Sequence, residues 1–468
     1  MATTTQTDAL ASVTALAPIR LTCSTIPIST VPTEILREIF IRCVRFRYPH
    51  IQPFTSFEAP LLFCGVCALW RGIAIAMPQL WSQLSVSIDR EIAATLQPSL
   101  QLIEIWIERS GVQPLTLVLQ DLESRSSSAD LTNDLLRIFV PHMHRWQSIT
   151  LFLPNDTFPE PLTSLEIPQG GAPLLQTAKF EFGVDGGLET ADTPQIAGLS
   201  KILSSSTHLH TLYWRNDLSI LLQLFAVPWA QLTVIDLVPM WRPMSQIVRV
   251  MQEAPKLRSL SVFITEACDV APILFLPDLI VLWIGAEVDV GPLFRRLTLP
   301  SLRNLNVFCS SLEPAVRQTD VTDCMIRSKS PIDTAILKSL RTPRSELHAF
   351  LRASPSLLLF EISNDGEATI TDETLTLLTA GNTTPCLCPN LRIIRFLESS
   401  ISSTDGRLAD MVASRREVFP AVWPVGLLSR LVVEFSEAEL LRHTEDSRRL
   451  QGMGKAGLKV WVNEAETE

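Results

Sequence analysis

Glycine is scarce in this chain, with 18 glycines in 468 residues, roughly 4% against a usual share of about 7%. The phosphate-binding pattern Gly-x-x-x-x-Gly-Lys-Ser/Thr does not occur, and neither His-Glu-x-x-His nor Gly-x-Ser-x-Gly is found. Because no sequence motif calls for catalysis, we expect a protein that is not an enzyme and that needs no cofactor.

Long apolar runs are also absent. None approaches the roughly 18 residues that a helix needs to cross a bilayer. Residues 1–29 are rich in Thr, Ala and Ser and lack the basic start of a secretory signal, so we expect a flexible tail. The nine cysteines form no repeating framework, which favours free thiols in a reducing compartment. The chain is therefore predicted to be soluble and to reside in the cytoplasm, the nucleus or both.

Positive charge is in deficit, because 39 Lys and Arg stand against 49 Asp and Glu, for a formal net charge of -10. Nucleic acids and anionic membranes attract basic surfaces, so neither is expected as a partner. Charged residues make up 19% of the chain and apolar residues 46%. This balance excludes a mainly disordered chain and predicts a large core.

Two helices are predicted near the N terminus. Pro32 suits the first position of a helix, and the apolar residues that follow it recur on one helical face through Cys43. A second, almost wholly apolar helix is predicted from Leu61 to Ala74, ending before Pro78. Helices this short and apolar must be covered by the rest of the chain or by a partner.

At these residues the chain resembles an F-box domain, most closely the F-box-like module common in fungal proteins. The resemblance covers residues 30–86 and continues more weakly into residues 102–117. It rests on four groups in order: Val31-Pro32 with Glu34-Ile35-Leu36, Ile39-Phe40, Val66-Cys67 with Trp70-Arg71, and Pro78-Gln79-Leu80-Trp81.

The resemblance implies partners. An F-box packs its apolar helix faces against a small Skp-type adaptor, which links it to a cullin-RING ubiquitin ligase. The residues assigned to adaptor contact in this way are Pro32, Ile35, Leu36, Ile39, Phe40, Val66, Cys67, Trp70, Leu80 and Trp81. The alternative is a helical cap on the next domain, whose interior would hold Leu36, Phe40, Trp70 and Trp81.

From Trp146 onward the pattern apolar-x-x-apolar-x-apolar recurs nine times. The copies are Trp146/Ile149/Leu151, Leu175/Ala178/Phe180, Leu209/Leu212/Trp214, Leu232/Ile235/Leu237, Leu257/Leu260/Val262, Leu279/Leu282/Ile284, Leu302/Leu305/Val307, Leu357/Phe360/Ile362 and Leu391/Ile394/Phe396. The central copies start 22 to 25 residues apart, within the leucine-rich-repeat range of about 20 to 29 residues. They resemble degenerate leucine-rich repeats, which implies a solenoid with a parallel sheet. An ordinary α/β sheet is the alternative.

The predicted fold class is thus α/β, with a short helical F-box module followed by an irregular leucine-rich-repeat-like solenoid. The predicted units are the tail over 1–29, the F-box-like module over 30–86, a linking region of helix and strand over 87–145, and the solenoid over 146–468. Insertions are expected near 310–344 and 399–420, because both segments are rich in Ser, Thr, Pro or charge.

Smaller signals refine this picture. Residues 247–251 and 347–351 are predicted helices that lead into strands. Ser436 and Glu439 have the spacing of a capping box. The alternation of Leu458, Val460 and Val462 predicts a last strand.

Residue pairs with metal-ligand spacing occur at four places: Cys64/Cys67, Cys386/Cys388, His142/His144 and His208/His210. No further ligands complete any of them. We therefore expect no metal, with Cys64 and Cys67 in a helix core, Cys386 and Cys388 in a loop, and the histidines at exposed strand ends.

In a solenoid, residues between the buried positions lie on the sheet face away from the core. The candidates for substrate binding there are Tyr213, Arg215, Trp283, Asn304, Asn306 and Phe308. A strand phase shifted by one residue would turn them inward instead.

The predicted function is a non-enzymatic subunit that binds the adaptor through the F-box and a protein substrate through the solenoid. The alternative is a repeat scaffold with no link to a ligase.

Overall fold

The computed structural model describes most of the chain, and all statements below concern that part. The described residues are 31–45, 58–88, 99–121, 129–153, 160–162, 167–182, 193–216, 221–222, 227–270, 272–309, 318–339, 344–363, 369–381, 386–397, 401–416 and 427–463. The tail predicted over residues 1–29 lies outside them.

The described residues form an α/β protein with eighteen strands. In chain order these are β1 Gln83–Ile88, β2 Leu115–Asp121, β3 Trp146–Leu153, β4 Thr177–Phe182, β5 Thr211–Trp214, β6 Val234–Pro243, β7 Ser259–Glu266, β8 Leu274–Phe275, β9 Val281–Ala286, β10 Leu297–Thr298, β11 Asn304–Cys309, β12 Thr334–Lys338, β13 Leu359–Ser363, β14 Ile370–Thr371, β15 Ile393–Leu397, β16 Ile401–Ser402, β17 Arg430–Val433 and β18 Lys459–Val462.

Fourteen of these strands make one parallel sheet in which each strand pairs with the next along the chain. The other four form two short parallel pairs, β8 with β10 and β14 with β16. Parallel neighbours need a crossover connection, and fourteen helices in the described residues supply many of these connections. They are α1 Thr33–Arg45, α2 Leu61–Val66, α3 Ala68–Ile75, α4 Leu100–Arg109, α5 Ala129–Phe139, α6 Thr193–Ser205, α7 Met244–Glu253, α8 Gly291–Phe294, α9 Gln318–Ser328, α10 Arg344–Ala353, α11 Asp372–Leu378, α12 Arg407–Ser414, α13 Glu437–Arg442 and α14 Thr444–Lys455.

The core follows the alternation of each strand. In β9, for example, Leu282 and Ile284 are fully buried while Trp283 between them is half-buried. Leu282 lies beside Leu260 of β7 and Leu305 of β11 in the register. Side chains on one face therefore stack from strand to strand into a continuous apolar layer.

The nine copies of the sequence pattern all coincide with strands of this sheet, from β3 to β15. The helices predicted over 247–251 and 347–351 are confirmed as α7 and α10. The capping box is confirmed too: the Ser436 hydroxyl accepts from the Glu439 amide, and the Glu439 carboxylate accepts from the Ser436 amide. The predicted last strand is β18.

The sheet extends further than the pattern indicated. It begins with β1 at Gln83, inside the segment predicted as the helical module, and β2 lies in the predicted linking region. The expected insertion near 310–344 contains β12, which pairs with β11 and β13. The expected insertion near 399–420 contains β16 and α12.

The second predicted helix is in fact two helices. The backbone of Cys67 is extended, with φ -160 and ψ 169, so α2 ends at Val66 and α3 begins at Ala68. The Cys67 thiol caps α3 by accepting from the Trp70 amide, 3.5 Å away. The expectation of a core position for Cys67 was wrong, because its side chain is exposed.

Two tryptophans join the N-terminal helices to the sheet. The ring of Trp81 meets that of Trp106 edge to face at 4.8 Å. The Trp81 indole N–H donates to the Ala74 carbonyl in α3, and that of Trp106 donates to the Gln83 carbonyl in β1. The helices and the first strands thus share one core. Of the helices in the described residues, none has the length and apolar character to span a membrane.

Candidate functional site

Helix α1 carries two apolar stripes with different burial. Leu36, Phe40 and Val44 recur every four residues and are buried. Ile35 and Ile39 form the neighbouring stripe, yet their exposed fractions are 53% and 45%. A helix that needed only to pack against the rest of the chain would place polar residues on that second stripe.

The same excess of apolar surface occurs on the next two helices. Leu62 and Val66 of α2 and Leu69 of α3 are exposed, as is Cys67 between the helices. These helices pack on α1, since the rings of Phe40 and Phe63 stack at 4.0 Å and Trp70 meets Phe40 edge-on at 5.0 Å. We call Ile35, Ile39, Leu62, Val66, Cys67 and Leu69 together the helix surface.

The structure divides the residues that the sequence assigned to adaptor contact. Pro32, Ile35, Ile39, Val66 and Cys67 are exposed, and Trp70 is half-buried. Leu36, Phe40, Leu80 and Trp81 are buried in the core of the chain, so the expectation that they touch a partner is corrected. Helical periodicity identifies an apolar stripe but does not tell which part of it the rest of the chain covers.

The sheet face opposite the core carries a second set of candidates. Register places Lys179, Tyr213, Asp236, Ser261, Trp283 and Asn306 side by side on β4 to β11. The remaining candidates, Arg215, Asn304 and Phe308, occupy the same face, because they lie two residues from members of this row. All six predicted residues are half-buried or exposed, so the strand phase is the one expected from the sequence. We call this the open face.

A depression of about 310 Å³ opens on β2 to β5 of the open face. Its polar lining comes from Gln120, Thr150, Lys179, Glu181, Tyr213 and Arg215. The Lys179 ammonium lies 4.3 Å from the centre of the Tyr213 ring. Arg215 Nη1 lies 3.2 Å from Glu181 Oε2. Tyr213 and Arg215, both singled out from the sequence, thus share a recess with side chains that sequence reasoning missed.

Partial burial shifts the pKa values of charged side chains in this depression. Burial raises the pKa of Glu181, although Arg215 opposes the rise. Burial also lowers the pKa of Lys179, and repulsion from Arg215 adds to this while Asp236 opposes it. Because a charge in partly dry surroundings costs more to leave unpaired, a ligand of opposite charge is bound more strongly here than at an open surface.

An aromatic cluster lies further along the open face. It consists of Trp241, Phe263, Trp283 and Phe308 around Gly285. Trp241 is 62% exposed, and its ring lies 6.1 Å from that of Phe263. A Cβ on Gly285 would collide with the Phe263 ring and would lie 2.9 Å from the Trp283 ring. The glycine therefore gives the rings room to lie against the sheet.

Beyond the aromatic cluster the open face carries an ion triad centred on a buried carboxylate. The side chain of Glu361 is only 2% exposed. It receives Lys338 Nζ at 2.7 Å and Arg395 Nη1 at 3.2 Å. These three residues lie on β12, β13 and β15, so the triad holds neighbouring strands together and leaves its carboxylate little capacity for a ligand.

Comparisons with models of known protein families and with curated proteins find no match for this chain. A function must therefore be inferred from the helix surface and the open face themselves.

One group of ligand-type side chains in the described residues has metal-like spacing. Atoms of Asp405, His443 and Asp446 lie within 4.8 Å of one another. The Asp405 carboxylate accepts from the amides of Glu445 and Asp446 at the start of α14. Asp446 accepts from the Ala409 amide at the start of α12 and lies 2.9 Å from His443 Nδ1. These hydrogen bonds already occupy both carboxylates. Through them Asp405 caps the start of α14 and Asp446 caps the start of α12.

The cysteines differ in exposure. Cys324 and Cys388 are buried, and burial raises the pKa of these thiols to about 11 and about 12. Cys64 is half-buried. High thiol pKa values disfavour the reactive thiolate at neutral pH, so neither Cys324 nor Cys388 is a candidate nucleophile.

The spacing Gly-x-Gly-x-x-Gly occurs at Gly452, Gly454 and Gly457, a match that sequence reasoning missed. In a dinucleotide site this pattern follows a strand and opens a helix. Here it closes α14 and leads into β18. Gly457 has φ +93, and the Leu458 amide donates to the Met453 carbonyl, so this glycine ends a helix.

Proposed function

We propose that this protein is a non-enzymatic substrate-recognition subunit of a Skp/cullin/F-box ubiquitin ligase, acting in the cytoplasm or nucleus. The helix surface binds a Skp-type adaptor, and the open face binds a protein substrate. In this proposal α1 to α3 are an F-box-like module, and the sheet belongs to a leucine-rich-repeat-like solenoid. No cofactor takes part.

The helix surface carries this proposal. Five apolar side chains are exposed on three helices, with Cys67 exposed between two of them, while Phe40, Phe63 and Ile73 of the same helices are buried. Exposed apolar surface of this kind is typical of a site that a partner protein covers. Its residues include Ile35, Ile39, Val66 and Cys67, which also carry the resemblance to an F-box.

The order of the strands supports the solenoid interpretation. Each strand pairs in parallel with the strand of the next unit, and the pairing follows chain order through fourteen strands. Repeat proteins build sheets in this way because each unit contacts only its neighbours. The open face then offers a broad surface for a protein substrate.

A repeat scaffold without a ligase is the second candidate. The Trp81 and Trp106 contact favours it, because the N-terminal helices share a core with the first strands, as a terminal cap does. The two candidates differ in whether the exposed stripe of α1 binds an adaptor.

The test is co-precipitation of the purified chain with a recombinant Skp-type adaptor. We expect binding by the native chain and its loss in Ile39→Glu and in Val66→Glu, since either change places a charge on the helix surface. Ile273→Glu is the matched control, because Ile273 is an exposed apolar residue outside α1 to α3.

Thermal melting of each variant shows whether a loss of adaptor binding is caused by the lost contact or by unfolding of the chain. The ligase proposal is wrong if the native chain does not bind the adaptor, or if both charged variants bind as well as the control. The scaffold alternative would then be preferred.

A further inference from the structure

The depression on the open face contains a positive charge that makes no ion pair, although Asp236 outside the lining acts on it electrostatically. Glu181, the carboxylate that lines it, is engaged by Arg215 at 3.2 Å. Lys179 has no carboxylate within ion-pair distance in the described residues, and its ammonium lies over the Tyr213 ring instead. The charge left available to a ligand is therefore positive.

A hydrogen-bond acceptor also lacks a partner there. Gln120 lines the depression, and its buried Oε1 atom has no hydrogen-bond partner in the described part of the chain. A buried polar atom without a partner is unfavourable and is normally satisfied by a ligand or water. A ligand that carries an anionic group together with an N–H donor complements both Lys179 and Gln120.

A cationic ligand is the competing possibility, because Asp236 lies next to Tyr213 in the register. However, Asp236 is not part of the lining, and its Oδ1 already accepts from the Val238 amide at 3.0 Å. A cation in the depression would also face both Lys179 and Arg215. The charges therefore favour an anion.

The aromatic cluster determines how far such a ligand extends. Phe263 and Trp283 lie three and four strands beyond Lys179, on the same face. At about 4.8 Å per strand this is roughly 14 to 19 Å. An extended peptide advances about 3.4 Å per residue, so it crosses this distance in about four to six residues.

We propose that the open face binds an extended protein segment in which an acidic or phosphorylated residue occupies the depression beside Lys179, and a large apolar residue about four to six positions away packs on the aromatic cluster. This inference names the substrate class for the open face and rests on the proposed function only in calling that segment a substrate. The anionic group is a carboxylate or a phosphate.

The test uses the purified full chain without any adaptor. The probes are fluorescein-labelled Gly/Ser peptides of about twelve residues. Each carries one Glu and one Phe at a separation that varies between about one and about eight positions, and binding is measured by fluorescence anisotropy. We expect the tightest binding at separations of about four to six. Replacing Glu by Gln should weaken that binding at least about tenfold, as expected for loss of a charged hydrogen-bonded contact.

Variants of the protein show which part of the open face binds the Glu of the peptide and which part binds the Phe. In Lys179→Met the difference between the Glu and Gln peptides should shrink severalfold, because the free ammonium is gone and the remaining Arg215 is engaged by Glu181, whereas Lys179→Arg should keep the difference. Trp283→Ala should remove the contribution of Phe while leaving the preference for Glu. Lys256→Met, at an exposed turn away from the open face, is the control and should behave like the native chain.

A third peptide series distinguishes the source of the negative charge. Phosphoserine in place of Glu should bind more tightly if phosphate is the natural anion, and no more tightly if a carboxylate is. Lysine in place of Glu should abolish binding.

The proposal is overturned if no peptide binds, if the lysine series binds as well as the Glu series, or if affinity does not depend on the separation. Adaptor binding by the same preparation is measured separately. If the chain does not bind the adaptor, the ligase proposal is wrong, but the result of the peptide experiment still stands.

Discussion

Gly171 shows how one residue constrains the chain at a turn. Its φ is +57, and a Cβ there would collide with the side chain of Ser205 and lie 3.3 Å from the Lys201 carbonyl. The Ser205 hydroxyl cannot move freely, because it accepts from the Ala172 amide at 2.8 Å. Both the backbone conformation and the crowding require glycine here.

We expect Gly171→Ala to lower the free energy of unfolding by about 1 to 3 kcal/mol. Gly170→Ala is the matched control, because a Cβ at Gly170 would meet no atom within 4 Å and the φ of this residue is not positive. That change should stay within about 0.5 kcal/mol of the native chain. Urea unfolding of the two variants measures the difference, and equal midpoints would contradict this account of the turn.

His348 makes stability depend on pH. The residue is buried, and its Nε2 atom lies 2.9 Å from Thr374 Oγ1. Burial lowers the pKa of His348, and Arg352 adds to this, while Glu373 opposes it. The unfolded chain therefore binds a proton to this histidine more readily than the folded chain does.

A lowered folded pKa gives stability that is present above the unfolded pKa of about 6.5 and is lost as pH falls below it. We expect His348→Gln to reduce the drop in unfolding free energy between about pH 7.5 and about pH 5. The exposed His208 supplies the control variant His208→Gln, whose drop should match that of the native chain. Chemical denaturation at the two pH values measures both, and an unchanged drop in His348→Gln would assign the pH dependence to other groups.

In helix α1, one stripe of residues contributes to stability and the neighbouring stripe is available for binding. Phe40 is fully buried against Phe63, so Phe40→Ala should lower the free energy of unfolding by about 3 to 5 kcal/mol. Ile39 is exposed, so Ile39→Ala should change it by no more than about 0.5 kcal/mol. Denaturant unfolding checks the pair, and a large loss in Ile39→Ala would show that this stripe is covered within the chain.

The sequence predicted most elements because the strands bury a regular pattern. Three further copies of that pattern were missed, Trp81/Leu84/Val86 for β1, Ile332/Ala335/Leu337 for β12 and Leu428/Leu431/Val433 for β17. The second copy lies in the segment 310–344, which its Ser, Thr, Pro and charge content assigned to an insertion. Trp81 in the first was already assigned to a helical module, so the strand that follows it was missed.

The candidate surfaces were less predictable than the strands. Alternation fixed which side of each strand faces the core, and so placed Tyr213 and Trp283 on the open face. It could not place Lys179 beside Tyr213 or bring Gln120 into the same depression, because both depend on the register of strands far apart in sequence. Nor could the sequence pattern show that Ile39 is exposed and Phe40 buried, because that difference in burial arises from packing against α2 and α3.

At the scale of the whole molecule, the N-terminal helices and the sheet are not independent. Strand β1 is the first strand of the sheet, and Trp81 and Trp106 connect it to α3. Removing residues 1–88 would leave the β2 edge without its partner strand and uncover the Trp106 ring. Apolar surface uncovered in this way favours self-association.

We expect a chain lacking residues 1–88 to melt more than about 5 °C below the native chain and to self-associate in sedimentation experiments. The control lacks residues 1–30 and keeps every described element. Equal melting temperatures of the two truncated chains would show that the helices form a separable module. Because this loss is expected under both candidate functions, melting alone does not distinguish a ligase subunit from a scaffold.

The row of aligned residues from Lys179 to Asn306 on the open face has a consequence for how this protein can change over evolution. Each strand contributes its own side chains to the face, and the neighbouring positions on the same strand hold the core. Ser261, between Asp236 and Trp283, can therefore be exchanged for a larger residue without altering the apolar layer beneath it. New specificities can arise one position at a time on an unchanged framework, and a designer could follow the same route.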